Sequence, residues 1–150
     1  MRKFLFLLLI LCFSGCMSVN MPHYIQDKNP YKKTFYSNFN DVLKTTLETL
    51  KELGWVLSKK VDPTVFERTT ETNESQTNQI LLFTEIRQTS LFIASRYARI
   101  NVYLRSGTEN TTEVEIRYLT VNSFPFKNFY NYRNDHAIEQ IWKLIKKKLG

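Results

Sequence analysis

Two segments of this chain alternate with the period of a β-strand. Ala98, Ile100, Val102 and Leu104 are interleaved with Arg99, Asn101, Tyr103 and Arg105, and Val114, Ile116 and Tyr118 with Glu113, Glu115 and Arg117. The polar link Ser106-Gly107-Thr108-Glu109-Asn110 joins them. Period-two segments on either side of a short glycine-bearing turn predict an antiparallel hairpin with one buried face and one wet face. Two other segments carry the helical period. Val42, Leu43, Leu47, Leu50 and Leu53 form one stripe, with Asn38 or Asn40 as cap and Gly54 as stop. Ile138, Ile141, Trp142, Ile145 and Leu149 form a second stripe, opened by Asn134 or Asp135 and closed by Lys146-Lys147-Lys148, cations that favour a helix C-terminus.

The remaining pattern is shorter. Phe35-Tyr36 predicts a brief first strand. Residues 55–61 and 65–69, separated by the turn Val61-Asp62-Pro63-Thr64, predict a hairpin. Residues 70–79 contain no apolar side chain and read as a solvated loop. Residues 80–88 predict another strand, and residues 89–95 connect onward through Leu91, Phe92 and Ile93. Residues 123–132 read as irregular, because Pro125 interrupts pairing, and as aromatic, with Phe124, Phe126, Phe129, Tyr130 and Tyr132.

The first fifteen residues form a separate unit. Arg2-Lys3 is followed by ten uninterrupted apolar residues, 4–13. As a helix these reach only about 15 Å, half of a hydrocarbon core about 30 Å thick, so a secretory signal is expected rather than a membrane span. Phe13-Ser14-Gly15-Cys16 resembles the lipobox of bacterial lipoproteins, with Phe13 where Leu is usual. The resemblance implies that residues 1–15 are removed and that Cys16 becomes the first residue, carrying a diacylglyceryl thioether and an N-acyl chain. The competing reading is ordinary secretory cleavage beside an incidental cysteine. Acyl chains make an effective anchor, at about 0.8 kcal/mol per buried CH₂.

Processing changes the composition. Loss of Arg2 and Lys3 takes 21 basic residues to 19 against 14 acidic ones, a net charge of +5, spread along the chain apart from Lys32-Lys33 and the final lysines. Cys12 leaves with the signal and Cys16 is lipidated, so no thiol is expected for a disulfide or a nucleophile. Residues 16–34 lack either period and are expected to be a lipidated N-terminus and tether, able to hold a single domain, residues 35–150, clear of a bilayer. Nucleic acid is not an expected partner of an exported chain; anionic lipid or envelope polymers suit the basic excess better.

One apolar stripe per helix and one apolar sheet face pack most economically as an α+β fold, a curved antiparallel sheet with both helices on one side. The pattern Phe39-(x)₂-Val42-Leu43-(x)₃-Leu47-(x)₂-Leu50-(x)₂-Leu53-Gly54-Trp55, the charged hairpin from Arg99 to Arg117 and the closing helix resemble the helix-grip domains of the BamC (NlpB) lipoproteins of the outer-membrane assembly machinery. The resemblance covers residues 35–149. It implies a non-catalytic envelope accessory that binds a protein.

Candidate chemistry is sparse. His23 falls in the tether and His136 at a helix start, so neither a zinc site nor a Ser-His-Asp arrangement is expected, and no metal or cofactor with them. Glu113 and Glu115 share a strand face at about 7 Å, near glycosidase spacing, but any alternating strand with two acids has that spacing. Gly54, Gly107 and Gly150 belong to no nucleotide motif. The five aromatics of residues 124–132 either line a partner surface, together with Leu91, Phe92 and Ile93, or fold beneath the sheet as core; the sequence leaves both open. Two other functions compete with the accessory role. An apolar ligand or lipid would need a continuous cavity lined by Trp55, Ile100 and Trp142. A small cell-wall hydrolase would need Glu113, Glu115 or His136 converging in a polar pocket. In a Gram-negative cell, Met17-Ser18 after the lipidated cysteine, with no Asp, implies delivery to the outer membrane, facing the periplasm.

Overall fold

A computed structural model describes residues 19–66, 78–91 and 94–150 of the chain. It is an α+β fold. Seven strands form one open antiparallel sheet: β1 (Tyr31–Phe35), β2 (Leu57–Val61), β3 (Gln79–Thr84), β4 (Arg87–Leu91), β5 (Ala94–Ser106), β6 (Thr112–Phe124) and β7 (Lys127–Asn131). Two helices lie among the described residues, α1 (Phe39–Glu52) and α2 (Asp135–Leu149).

The long pair β5–β6 is the axis of the sheet, in register from Ser95↔Ser123 to Ser106↔Thr112. Its turn holds Glu109 and Asn110 at positive φ, a conformation that Asn and Asp tolerate better than most residues. Each edge of the axis is covered by two shorter strands laid end to end. β3 and then β4 pair with β5, and β1 and then β7 pair with β6. β2 pairs with β3 and forms an outer edge. Between β3 and β4, the Thr84 hydroxyl takes over the ladder: it accepts from Ile100 N at 3.0 Å and donates to Ile100 O at 3.1 Å. One side chain thus satisfies the backbone that a continuous strand would have paired.

Both helices lie on the even-numbered face of β5–β6. Ala98, Ile100, Val102, Leu104, Val114, Ile116 and Tyr118 pack there against Val42 and Leu50 of α1 and Ile138, Ile141, Trp142 and Ile145 of α2. Asn38 caps α1 by accepting from Asp41 N, and Gly54 follows at φ +76. Asn134 caps α2 by accepting from Ala137 N at 3.1 Å, while its amide donates to the Tyr118 hydroxyl at 2.8 Å. The second cap thereby ties the helix start to the middle of the sheet.

Several sequence expectations are corrected. The first strand ends at Phe35, and Tyr36 is 92% exposed. Residues 65–69 do not continue as the hairpin partner of β2: Pro63–Val65 is a 3-10 turn opened by Asp62, β2 pairs with β3, and residues 67–77 lie outside the described residues. Residues 123–132 are not irregular, because β7 completes a hairpin with β6 and Pro125 stands in its turn, where no ladder N–H is required.

The largest difference concerns the second face of the sheet and the described part of the expected tether 16–34, residues 19–34. Residues 31–34 already belong to β1. Upstream, residues 19–25 cross the odd-numbered face of β5–β6 as a docked strap, with Met21 and Ile25 buried against Leu119 and Val121, and with Val19 and Tyr97 at the margin. The face expected to be wet is covered there, and Arg99, Asn101, Glu115 and Arg117 are buried beneath it.

Candidate functional site

The strap makes no strand ladder, so its backbone groups need side-chain partners. Asn101 and Arg99 supply them. Asn101 Oδ1 accepts from Ile25 N at 2.6 Å, and its amide donates to His23 O at 3.1 Å. Arg99 Nη1 donates to Pro22 O at 2.8 Å and to Met21 O at 3.3 Å. Burial lowers the Arg99 pKa from its ordinary value, and the carboxylate of Glu85 opposes that shift. A guanidinium stays protonated through such a change, so it remains a donor to both carbonyls.

Farther along the strap, Tyr24 forms the roof of a charged cluster. Arg117 lies over the Tyr24 ring at 5.0 Å and bonds its hydroxyl. Arg117 Nε donates to Glu115 at 2.7 Å, and Lys32 Nζ approaches the other Glu115 oxygen at 3.2 Å. Tyr24 also stacks on Phe66 at 5.2 Å, and Phe66 meets Phe83 edge-on at 5.4 Å. The arrangement joins the strap, β1, β3 and β6 through charge and ring contacts.

At the opposite end of the axis from the Ser106-to-Thr112 turn stands the β6–β7 hairpin. Phe126 at its tip is 85% exposed, and Phe124, Phe129, Tyr130 and Tyr132 are between 39% and 49% exposed. The question left open by the sequence is thus decided: these rings are surface. Phe124 and Phe129 meet edge-on at 5.8 Å, and Lys127 Nζ stands 4.9 Å over the Phe129 ring. Leu91 closes β4, while its side chain, Phe92, Ile93 and the lipidation candidate Cys16 lie outside the described residues.

Glu113 and Glu115 share one face of β6, but each carboxylate is paired with cations. Arg105 takes Glu113 at 2.8 Å, and Glu115 belongs to the charged cluster. His136 is exposed and lies 3.0 Å from the Gln140 amide, while its neighbour Asp135 accepts from the Tyr31 hydroxyl at 2.6 Å. Among the described residues, no group of three or more His, Cys, Asp and Glu could hold a metal, and no helix is long and apolar enough to cross a membrane.

The continuous cavity that an apolar-ligand role would need between helix and sheet is filled. Trp55, Ile100 and Trp142 are all buried in the core, with Trp55 edge-on to Tyr118 at 6.4 Å and Trp142 against Phe35 at 6.0 Å. Two hollows open at the border of that core and share Trp55. One, about 280 Å³, is lined by Arg87, Arg96, Tyr118 and Asn134 among others. The other, about 460 Å³, is lined mainly by Leu47, Leu50, Val56 and Leu57.

No family model matches the chain, and no curated protein matches it. The class that stands is therefore structural: an α+β protein with an open antiparallel sheet, two helices on one face and a docked N-terminal strap on the other.

Proposed function

We propose that this chain is a lipid-anchored protein of the bacterial cell envelope, held through Cys16, and that it acts without catalysis as a BamC-like accessory binding an envelope protein. The observation that carries the reading is the start of the sequence: two basic residues, ten apolar ones, then Phe13-Ser14-Gly15-Cys16. The described fold draws on residues from Val19 onward, so cleavage before Cys16 removes none of them. The pairing of Glu113 with Arg105, and of Glu115 with Arg117 and Lys32, supports a binding role over a hydrolytic one.

The test is incorporation of radiolabelled palmitate, expected for the natural chain and lost in Cys16→Ser, which keeps its cooperative melting. Palmitate on the serine variant would overturn the assignment of the anchor. Sucrose-gradient fractionation tests the destination: recovery with the outer membrane is expected, and Met17→Asp shifts the protein inward. Recovery of the natural chain with the inner membrane contradicts the sorting reading. One observation favours a second function. The 460 Å³ hollow falls in the range of small-ligand sites, about 300–1,000 Å³, and has an apolar lining. Displacement of a fluorescent fatty acid, reduced by Val56→Asp, would identify it as an apolar-ligand site.

A further inference from the structure

We propose that the β6–β7 hairpin tip rests in the lipid headgroup layer, so that the domain lies against the bilayer in one fixed orientation instead of swinging on a tether. The inference rests on lipidation of Cys16 and adds to it a second, non-covalent membrane contact.

The path of the strap carries the argument. Ile25 and His23 bond Asn101, Met21 and Pro22 bond Arg99, and Val19 packs in the cluster of Tyr97 and Val121. Followed backward, the strap therefore moves along β5 from 101 to 99 to 97, toward Ser95, whose partner on β6 is Ser123. The next residue of β6 is Phe124, the start of the aromatic tip. The chain thus leaves the docked strap at the hairpin end of the sheet.

Length does the rest. Only Met17 and Ser18 separate Cys16 from Val19, so three residue steps span at most about 11 Å. From Val121 to Phe124 is three strand residues, about 10 Å. Added end to end, and with two more residues to the tip, these lengths hold Cys16 within about 30 Å of Phe126, so the hairpin stays near the surface into which that lipid inserts.

The chemistry of the tip fits such a surface. A ring with a polar edge, such as Tyr130, concentrates at membrane–water boundaries, apolar rings such as Phe126 and Phe129 can enter the acyl boundary beside it, and a lysine can lay its stem along them while its ammonium stays at headgroup level. Phe126, Phe129 and Tyr130 are exposed, and Lys127 stands over Phe129. Residues 118–134 contain Lys127 and Arg133 and no acid, which suits anionic phospholipid.

The mature chain has no free thiol once Cys16 is lipidated, so a single introduced cysteine reports its own position. Phe126→Cys and, at the far turn of the axis, Thr108→Cys are each labelled with an environment-sensitive fluorophore. The full lipidated protein is then reconstituted into vesicles of phosphatidylethanolamine and phosphatidylglycerol. Expected is quenching of the label at 126, but not at 108, by brominated acyl chains, with a blue-shifted emission at 126 alone. The two sites stand at opposite ends of 13-residue strands, about 40 Å apart. If mass spectrometry shows the lipid on Cys16 while the label at 126 reports water, the orientation proposal is overturned and the anchor stands. If no lipid adduct is present, the anchor reading fails and the proposal falls with it. If lipid does not quench the label at 126 and a photocrosslinker attached at the same cysteine captures an envelope protein in cells, the tip is assigned to a protein partner and the membrane contact is overturned.

Discussion

Replacing Ile25 with alanine separates a docked strap from a mobile tether. Ile25 has no exposed surface and packs with Met21, Leu119 and Val121. The substitution removes three carbon groups, a transfer loss of about 2.4 kcal/mol at about 0.8 kcal/mol each. Partial collapse of the space left behind places the expected total at about 2–4 kcal/mol. The backbone bond from Ile25 N to Asn101 survives, so the loss belongs to the side chain. A domain of this size loses about 4 °C of Tm per kcal/mol, which predicts a fall of about 8–16 °C. Urea unfolding followed by circular dichroism measures it, with Tyr36→Ala as a control at a side chain that is 92% exposed. A loss below about 0.5 kcal/mol, the size usual for exposed positions, would refute the docking, because a tether residue has nothing to lose.

The bonds under the strap make a companion test: Asn101→Ala leaves Ile25 N–H and His23 C=O without their partner and is expected to cost about 2–4 kcal/mol in the same assay, whereas a neutral result would mean that water serves them equally well. Burial, followed by the hydrogen bond to Asp135, raises the Tyr31 pKa above its ordinary 10.0. The contribution of that phenol is therefore complete below pH 10 and lost as pH rises through the folded value, so Tyr31→Phe should flatten part of the alkaline fall in stability measured by urea titration from pH 8 to 12. Gly54→Ala has space for its methyl group but must hold φ +76, and a loss of stability of about 1–2 kcal/mol is expected by thermal melting.

Both helices and the long hairpin are legible in the sequence because each satisfies itself locally. The stripe through Val42 and Leu50, the caps Asn38 and Asn134 and the interleaving of Ile100, Val102 and Leu104 need only one neighbouring layer. The strap has no such signature: it carries neither period, since its bonds go to Asn101 and Arg99, more than 70 positions away. A sign of it was present in β6, where Leu119 and Val121 put apolar side chains on the face otherwise occupied by Glu115 and Arg117. The buried Thr45, Thr46 and Thr49 likewise widen the inner face of α1 beyond its leucines. Pairing of β2 with β3 spans the long polar segment that follows Phe66, and local pattern cannot choose between that partner and a nearer one. Exposure of Phe124, Phe126 and Phe129 depends on where the hairpin projects relative to the helices, a property of the assembled sheet and not of the segment.

The strap also sets an order on assembly. Its side-chain partners are Arg99, Asn101 and Arg117, and the apolar seat of Met21 and Ile25 is made by Leu119 and Val121. During synthesis or export from the amino end, that seat emerges about a hundred residues after the strap does. Until then Met21 and Ile25 have no surface to cover, and contacts so distant in the chain form slowly. A chain interrupted before β6 would present these two side chains to whatever handles nascent protein, while a chain that has passed Val121 can hide them. Docking of the strap therefore distinguishes a chain that has completed the central strand pair from one that has not, at the end of the molecule that appears first.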